Sequence, residues 1–264
     1  MFLQWPLRGT IKKTVRTSGL TMSLPPAPTT CLIIPVLNGG ASAARVASAA
    51  LAHGHPVLVV DDGSTDRTLD EITRVPDVHV VRHAGNLGKG AAIRTGLAWA
   101  RERGYERAIT IDGDGQHDPA DIPGLSSESG LHPEAIIIGA RDMRAGGAPP
   151  RSRIGLGLSN AWISILAAVR LPDSQSGFRS YPVASVLDLG LVSTGFELEF
   201  EVLVRARMAG IPIRSVPVSV RYPGWNGPGS SHFRPVRDSL RIFAGGIRAR
   251  VATPPRERAP MIPS

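Results

Sequence analysis

Five short apolar runs recur along the first half of the chain and leave little choice of fold. They are CLIIPV (31–36), PVLVVDD (56–62), VHVVRH (78–83), RAITID (107–112) and EAIIIGA (134–140). Their apolar residues are nearly continuous rather than alternating. A strand with one face in water alternates; a strand buried on both faces does not. Between the runs lie stretches of helical character: ASAARVASAALAH (41–53), RTLDEIT (67–73) and KGAAIRTGLAWARERG (89–104), the last closed by Gly104. Strands alternating with helices predict an α/β fold, a mostly parallel sheet with helices on both faces. The 264 residues are ample for one such domain with additions.

In a sheet of this kind ligands lie beyond the carboxyl ends of the strands. The first strand is followed by Leu37 and Asn38, the second by Asp61-Asp62-Gly63-Ser64, and the third by HAGNLGKG with Lys89. The fourth runs into Asp112-Gly113-Asp114-Gly115-Gln116-His117, and the fifth into Arg141. Polar, charged and glycine-rich residues therefore gather at one edge.

Beyond residue 150 the pattern changes. A helix is expected over 153–170, a loop over PDSQSGFRSY (172–181), a helix over FELEFEVLVRARMAG (196–210) and an extended segment over RSVPVSVRY (214–222). A glycine-rich loop (223–233) then leads into 235–251. There Val236, Leu240, Phe243, Ile247 and Val251 form one helical stripe flanked by Arg237, Arg241 and Arg248. The expected organisation is an N-terminal extension (1–30) without packed structure, one domain over 31–222, a loop and basic amphipathic helix over 223–251, and a disordered tail over 252–264.

Charge is uneven in the same sense. Residues 31–204 hold 15 Arg or Lys against 20 Asp or Glu, whereas 205–250 hold nine arginines and one acid, Asp238. A mildly acidic body with a basic C-terminal segment suggests an anionic partner: phosphate groups, an anionic membrane surface or nucleic acid. Cys31 is the lone cysteine, which excludes an intrachain disulfide framework or a Cys-based zinc site. No run of about 18 apolar residues is present, so no membrane-spanning helix is expected.

The chemistry of the edge can be read residue by residue. Asp112-x-Asp114 suits a hard divalent cation, and Gln116 adds a neutral oxygen. His117 is as able to pack locally as to bind a metal. Asp118-Pro119 reads as a helix entry, with Asp118 as N-cap. The carboxylates of Asp61 and Asp62 suit hydrogen bonds from a ribose or a base. Lys89 suits a phosphate, although neither the P-loop nor the G-x-G-x-x-G pattern is present.

IIPVLN, VDDGSTDRT, NLGKGAAIRTG, DGDGQHDPADI, DSQSGFR and GFELEFEVLVRA succeed one another in an order that resembles the family 2 (GT-A) glycosyltransferases. The chain looks most like their dolichyl- or polyprenyl-phosphate hexosyltransferase branch, over roughly 31–222. The resemblance implies the GT-A nucleotide-diphospho-sugar transferase fold and an inverting, metal-dependent transfer of one hexose. The donor would be a nucleotide-diphosphate sugar of the GDP-mannose or UDP-glucose type; the acceptor would be a lipid phosphate. It places Pro35, Asn38, Asp61, Asp62, Lys89 and Asp112 on the nucleotide-sugar side. It makes Asp112, Asp114 and Gln116 the ligands of Mg²⁺ or Mn²⁺. Arg141, Arg151, Arg153, Gln175 and Ser176 fall on the acceptor and phosphate side, with Arg141 and Asp173 the catalytic candidates. Asp173 is the candidate base for an alcohol acceptor; for a phosphate acceptor it would orient Arg179 or its loop. The Q-x-x-R-W motif of processive members is absent, which implies single-sugar transfer. A cytoplasmic protein, peripheral on the inner membrane face and without a nucleic-acid partner, is expected. Two other readings stay open at this point: transfer to a hydroxyl of a glycolipid or small metabolite, and a non-catalytic nucleotide-sugar or nucleic-acid binding module.

Overall fold

The computed structural model describes residues 29–142, 157, 160–162, 164–165 and 170–220. Residues 1–28 of the expected N-terminal extension, Arg151, Arg153, the loop over 223–233, the basic helix and the tail lie outside the described residues; Thr30, expected in the extension, is the first residue of a strand.

Seven strands form one sheet: β1 (Thr30–Val36), β2 (Val57–Asp61), β3 (Val78–Arg82), β4 (Arg107–Thr110), β5 (Ile136–Arg141), β6 (Arg179–Pro182) and β7 (Ile213–Val218). Their spatial order is β3-β2-β1-β4-β6-β5-β7. β1 pairs in parallel with β2 and β4, β2 with β3, and β5 with β7. β6 is antiparallel to both its neighbours, β4 and β5. The helices are α1 (Gly40–Leu51), α2 (Thr68–Ile72), α3 (Lys89–Glu102), α4 (Ile122–Leu131), α5 (Val183–Leu187) and α6 (Leu198–Met208).

The near-continuous apolar runs have the expected cause. Ile33, Leu58 and Val60 point to one face, where they join Ile93, Leu97, Val183, Leu198 and Leu203 from α3, α5 and α6. Leu32, Ile34, Val57 and Val59 point to the other, against Ala43, Ala47, Ile72, Ile122 and Leu125 from α1, α2 and α4. The period-2 alternation of a strand thus serves two cores, and both need apolar residues.

The segment 172–181, expected as a loop, ends in β6. Its four residues, RSYP, begin with an arginine and end with a proline, neither of which signals a central strand. The strand forms because tertiary partners satisfy Arg179, which is fully buried. Its guanidinium donates to the carbonyls of Ser174, Ser176 and Glu199 at 2.7–2.9 Å. The reversal matters for function. In a parallel strand the loop after it reaches the ligand edge; for β6 it is the loop before it, 172–178, that does so. Within the expected helix over 153–170, positions 157, 160–162 and 164–165 are helical.

Candidate functional site

The ends of β1 and β2 are laced together. Asn38 N–H donates to Ser64 Oγ at 2.8 Å, and Thr65 N–H donates to Asn38 Oδ1 at 2.9 Å. Asp61 is fully buried; its Oδ1 accepts from Ser64 N–H at 2.9 Å, and its Oδ2 lies 3.2 Å from Arg82 Nε as an ion pair. Asp62 collects the loop that follows β3, HAGNLGKG (83–90). His83 Nδ1 donates to Asp62 Oδ1 at 2.7 Å, and the Leu87 and Gly88 amides donate to its two oxygens at 2.9 and 2.8 Å. Both carboxylates therefore have protein partners, and Asp62 is the anchor of the loop that leads to Lys89. Pro35 is buried inside β1 opposite Val60, one strand-step behind the edge.

Gly88 precedes α3 with φ 103°, and a Cβ there would lie 2.4 Å from the Thr194 carbonyl oxygen. That close approach sets the start of α3 and aims Lys89, its first residue, across the edge. Lys89 Nζ stands 2.8 Å from Asp112 Oδ1 and 2.9 Å from Glu199 Oε1. It also lies 5.6 Å from the centre of the Phe196 ring. Burial alone would lower the Lys89 pKa, but the two carboxylates outweigh it and raise it above the ordinary lysine value. Burial likewise opposes ionisation of Asp112, yet the Lys89 charge prevails and holds its pKa below the usual carboxylate range.

Asp114 stands in contrast. Its Oδ1 accepts from the Gln116 amide at 2.9 Å, but burial and the neighbouring Asp112 charge push its pKa up to about 6. Lys89, Asp112, Asp114 and Glu199 together carry one positive and three negative charges. The four groups sum to −2, with the carboxylate oxygens of Asp112 and Asp114 at the strand end, which fits a divalent cation. Among the described residues no cluster of three or more His, Cys, Asp or Glu is arranged to hold a metal. The remaining ligands would have to be neutral oxygens, such as the Gln116 amide, with phosphate oxygens and water. His117 is buried against Phe178, ring centres 5.3 Å apart, and burial lowers its pKa to about 4, which keeps it neutral. Asp118 caps as expected, accepting from Ala120 N–H at 3.1 Å at the head of a 3₁₀ turn, Pro119–Asp121, that runs into α4.

The acceptor-side residues meet at the end of β5. Arg141 Nε and Nη2 donate to Asp173 Oδ2 and Oδ1 at 2.6 and 3.0 Å, a two-point clamp. Asp173 is fully buried and also accepts from Gln175 N–H at 3.1 Å. Burial opposes its ionisation, but the Arg141 bonds and charge outweigh it and lower its pKa. Of the two partners expected for Asp173 with a phosphate acceptor, its own loop is bonded through Gln175 N–H, whereas the arginine it holds is Arg141 and Arg179 is held by carbonyls. A general base must reach the proton it takes and have an affinity for it. Burial and the Arg141 clamp, which holds Asp173 ionised, weigh against that role on both counts. Ser176 is buried, its Oγ accepting from Phe178 N–H at 3.2 Å. Beside it, the Gly177 backbone presses on the ion pair: a Cβ there would lie 2.6 Å from Asp112 Oδ2 and 2.8 Å from Lys89 Nζ.

The residue that sequence reasoning passed over is Glu199. It sits in α6, where Leu198–Ala206 are all buried although Glu199, Glu201 and Arg205 are ionisable. The legible signal is that apolar residues interleave with the charges over FELEFEVLV (196–204), which leaves Glu199 and Glu201 between core positions. Glu201 Oε1 takes Arg205 Nε at 2.8 Å, and Glu199 takes Lys89.

The family model described as Glycosyl transferase family 2 matches residues 31–176. Glycosyltransferase AglJ of Haloferax volcanii is 31% identical over 226 residues, 83% of this chain and 71% of that one. Polyprenol monophosphomannose synthase of Mycolicibacterium smegmatis is 29% identical over 242 residues, 86% of this chain and 90% of that one. Among solved structures, mannosyl-3-phosphoglycerate synthase from Rubrobacter xylanophilus superposes with a TM-score of 0.63 at 16% identity, over 89% of this chain and 79% of that one.

Proposed function

We propose that this chain, which belongs to glycosyl transferase family 2 and has the GT-A fold, moves a single hexose from a nucleotide-diphosphate sugar to a polyprenyl- or dolichyl-type lipid phosphate. It is a glycosyltransferase by membership of that family; the donor, the acceptor and the course of the reaction are our reading. An oxygen of the acceptor phosphate forms the new bond to C1 as the bond from C1 to the donor diphosphate breaks on the opposite face. The configuration at C1 inverts, and the nucleoside diphosphate departs with the electron pair.

One observation carries the choice of acceptor. The carboxylate that the sequence offers as a base for an alcohol, Asp173, is buried and clamped by Arg141. An alcohol acceptor needs a base; a phosphate acceptor is already an anion and needs a cation to hold it. Arg141, oriented by Asp173, supplies that cation. A relative that is a polyprenol monophosphomannose synthase supports the same class of acceptor.

On the donor side, Asp112, Asp114 and Gln116 would hold Mg²⁺ or Mn²⁺, which when bound offsets the charge that builds on the leaving diphosphate. Lys89 pairs with Asp112 and orients it, and Asp62 fixes the loop that delivers Lys89. Asn38, exposed at the end of β1, would face the nucleoside, with the buried Asp61 holding the Ser64 turn behind it. No described helix is long and apolar enough to cross a membrane. The lipid would be met by a peripheral protein at the inner face.

The test is a transfer assay with radiolabelled GDP-mannose and UDP-glucose, a polyprenyl phosphate in detergent, and Mn²⁺. Label in the organic phase that depends on the phosphate and on one donor is expected. Label transferred to a polyprenol or glycolipid hydroxyl, with none on the phosphate, would establish the hydroxyl reading instead. No turnover of either donor, with binding intact, would favour a binding module.

A further inference from the structure

We propose that Glu199 is a positioning residue whose role is to keep Lys89 from cancelling Asp112, so that the strand end retains the two negative charges a divalent cation requires. The proposal rests on the cation reading of Asp112 and Asp114 given above.

Three observations lead to it. First, Lys89 Nζ is shared almost equally, 2.8 Å from Asp112 and 2.9 Å from Glu199. Second, the exposure falls along the chain of charges: the side chain of Asp112 is 25% exposed, that of Lys89 17% and that of Glu199 6%. Asp112 faces the ligand edge and Glu199 is the inner member, with Lys89 between them. Third, Glu199 is fixed by its own backbone. Its carbonyl accepts from the buried Arg179, which also holds the 174–176 loop. The arrangement therefore ties one end of α6 to the loop whose Gly177 touches the Asp112–Lys89 pair.

The charges give the direction. With Glu199 ionised, the four groups sum to −2. With a neutral side chain at 199 they sum to −1, and Lys89 has Asp112 as its sole anionic partner in the triad. The ammonium would then draw closer to Asp112 and compete with any cation for the same oxygen. Glu199 is the innermost of the three, 6% exposed, and Lys89 stands between it and Asp112, so its effect on the edge passes through Lys89.

The experiment is titration of the full-length protein with Mn²⁺ alone, monitored by the electron paramagnetic resonance signal of the free ion. Thermal unfolding confirms that each variant is folded. Glu199→Gln, which keeps shape and removes charge, is expected to weaken Mn²⁺ binding by about 10- to 100-fold, the range for outer-sphere partners of metal ligands. Lys89→Met is expected to tighten it. In the Lys89→Met background, Glu199→Gln should produce much less loss than in wild type. Wild-type affinity in folded Glu199→Gln would overturn the proposal. So would an equal loss in both backgrounds, which would mean that Glu199 acts without Lys89. Failure of the wild-type protein to bind Mn²⁺ would overturn the cation reading itself, and this proposal with it.

Discussion

Asp173→Asn separates the two acceptor chemistries. The substitution keeps the shape of the side chain and removes its charge. In the native protein Asp173 is fully buried and gives Arg141 two short hydrogen bonds, at 2.6 and 3.0 Å. Removing one member of a buried pair costs about 3–5 kcal/mol, because the other charge is left unpaired. The Arg141 side chain is 13% exposed, so water can recover part of the loss, and about 3 kcal/mol is the sensible figure. At about 2–4 °C per kcal/mol for a chain of this size, Tm should fall by about 6–12 °C. Because the folded pKa of Asp173 is lowered, its contribution is fully present above the unfolded carboxylate value of about 3.9 and is lost as the pH falls below it through the folded value. The stability gap between wild type and variant should therefore be constant at neutral pH and close in acid. For activity, loss of a general base would lower kcat by about 10²–10⁴-fold. With a phosphate acceptor there is no such base to lose. The KM for the acceptor should rise as Arg141 loosens, and kcat should change far less. Steady-state assays with the acceptor varied, below the variant's Tm, decide the matter. A fall in kcat of about a thousandfold, with acceptor KM and fold intact, would refute the reasoning and restore Asp173 as a base.

Three further outcomes are expected from the same structure. Gly177→Ala places a methyl group against Asp112 Oδ2 and Lys89 Nζ; since both are side-chain ends that can move, Tm should change little, while kcat/KM falls about 10²-fold from misplacement of the pair. Arg179→Met takes the guanidinium from three buried carbonyls, of which Glu199's keeps its place in the α6 ladder, and should cost about 2–6 kcal/mol in a urea melt at about 1–3 for each of the other two; a change under about 1 kcal/mol would mean that water replaces the guanidinium. Cys31 is fully buried, and burial pushes its thiol up to about 12; it should resist an aromatic disulfide reagent at about pH 8 in the native state and react at once in denaturant, and fast native reaction would contradict the packing of β1.

Much of the fold is legible in the sequence. The apolar runs reveal the sheet because Leu32, Ile33, Ile34, Leu58 and Val59 must serve two cores. The residues just beyond each run then locate Asn38, Asp61, Asp62, Asp112, Asp114 and Arg141, since parallel strands end at a common edge. The hidden part depends on pairings between distant segments. Arg179 looks like a surface residue until the Glu199 carbonyl, 20 residues away, is brought to it. Asp173 looks available until Arg141, 32 residues earlier, closes on it. β6 is hard to see for the same reason: its four residues have no pattern of their own, and their strand state is imposed by β4 and β5.

The reversed direction of β6 makes sheet register a gauge for the site. Arg179 is paired with Thr110 on one side and Ile138 on the other, and Thr110 Oγ1 also donates to the Gly177 carbonyl at 2.8 Å. A slip of one residue along either neighbour would turn Arg179 to the opposite face and move Gly177 about 3.3 Å off the Asp112–Lys89 pair. Lengthening or shortening the 172–178 loop would risk that slip, whereas a change of length after Pro182, at the far edge, would leave the register untouched. Natural variation in loop length among homologous chains should therefore be concentrated at the far edge, and the segment leading into β6 should keep its length even where its residues drift.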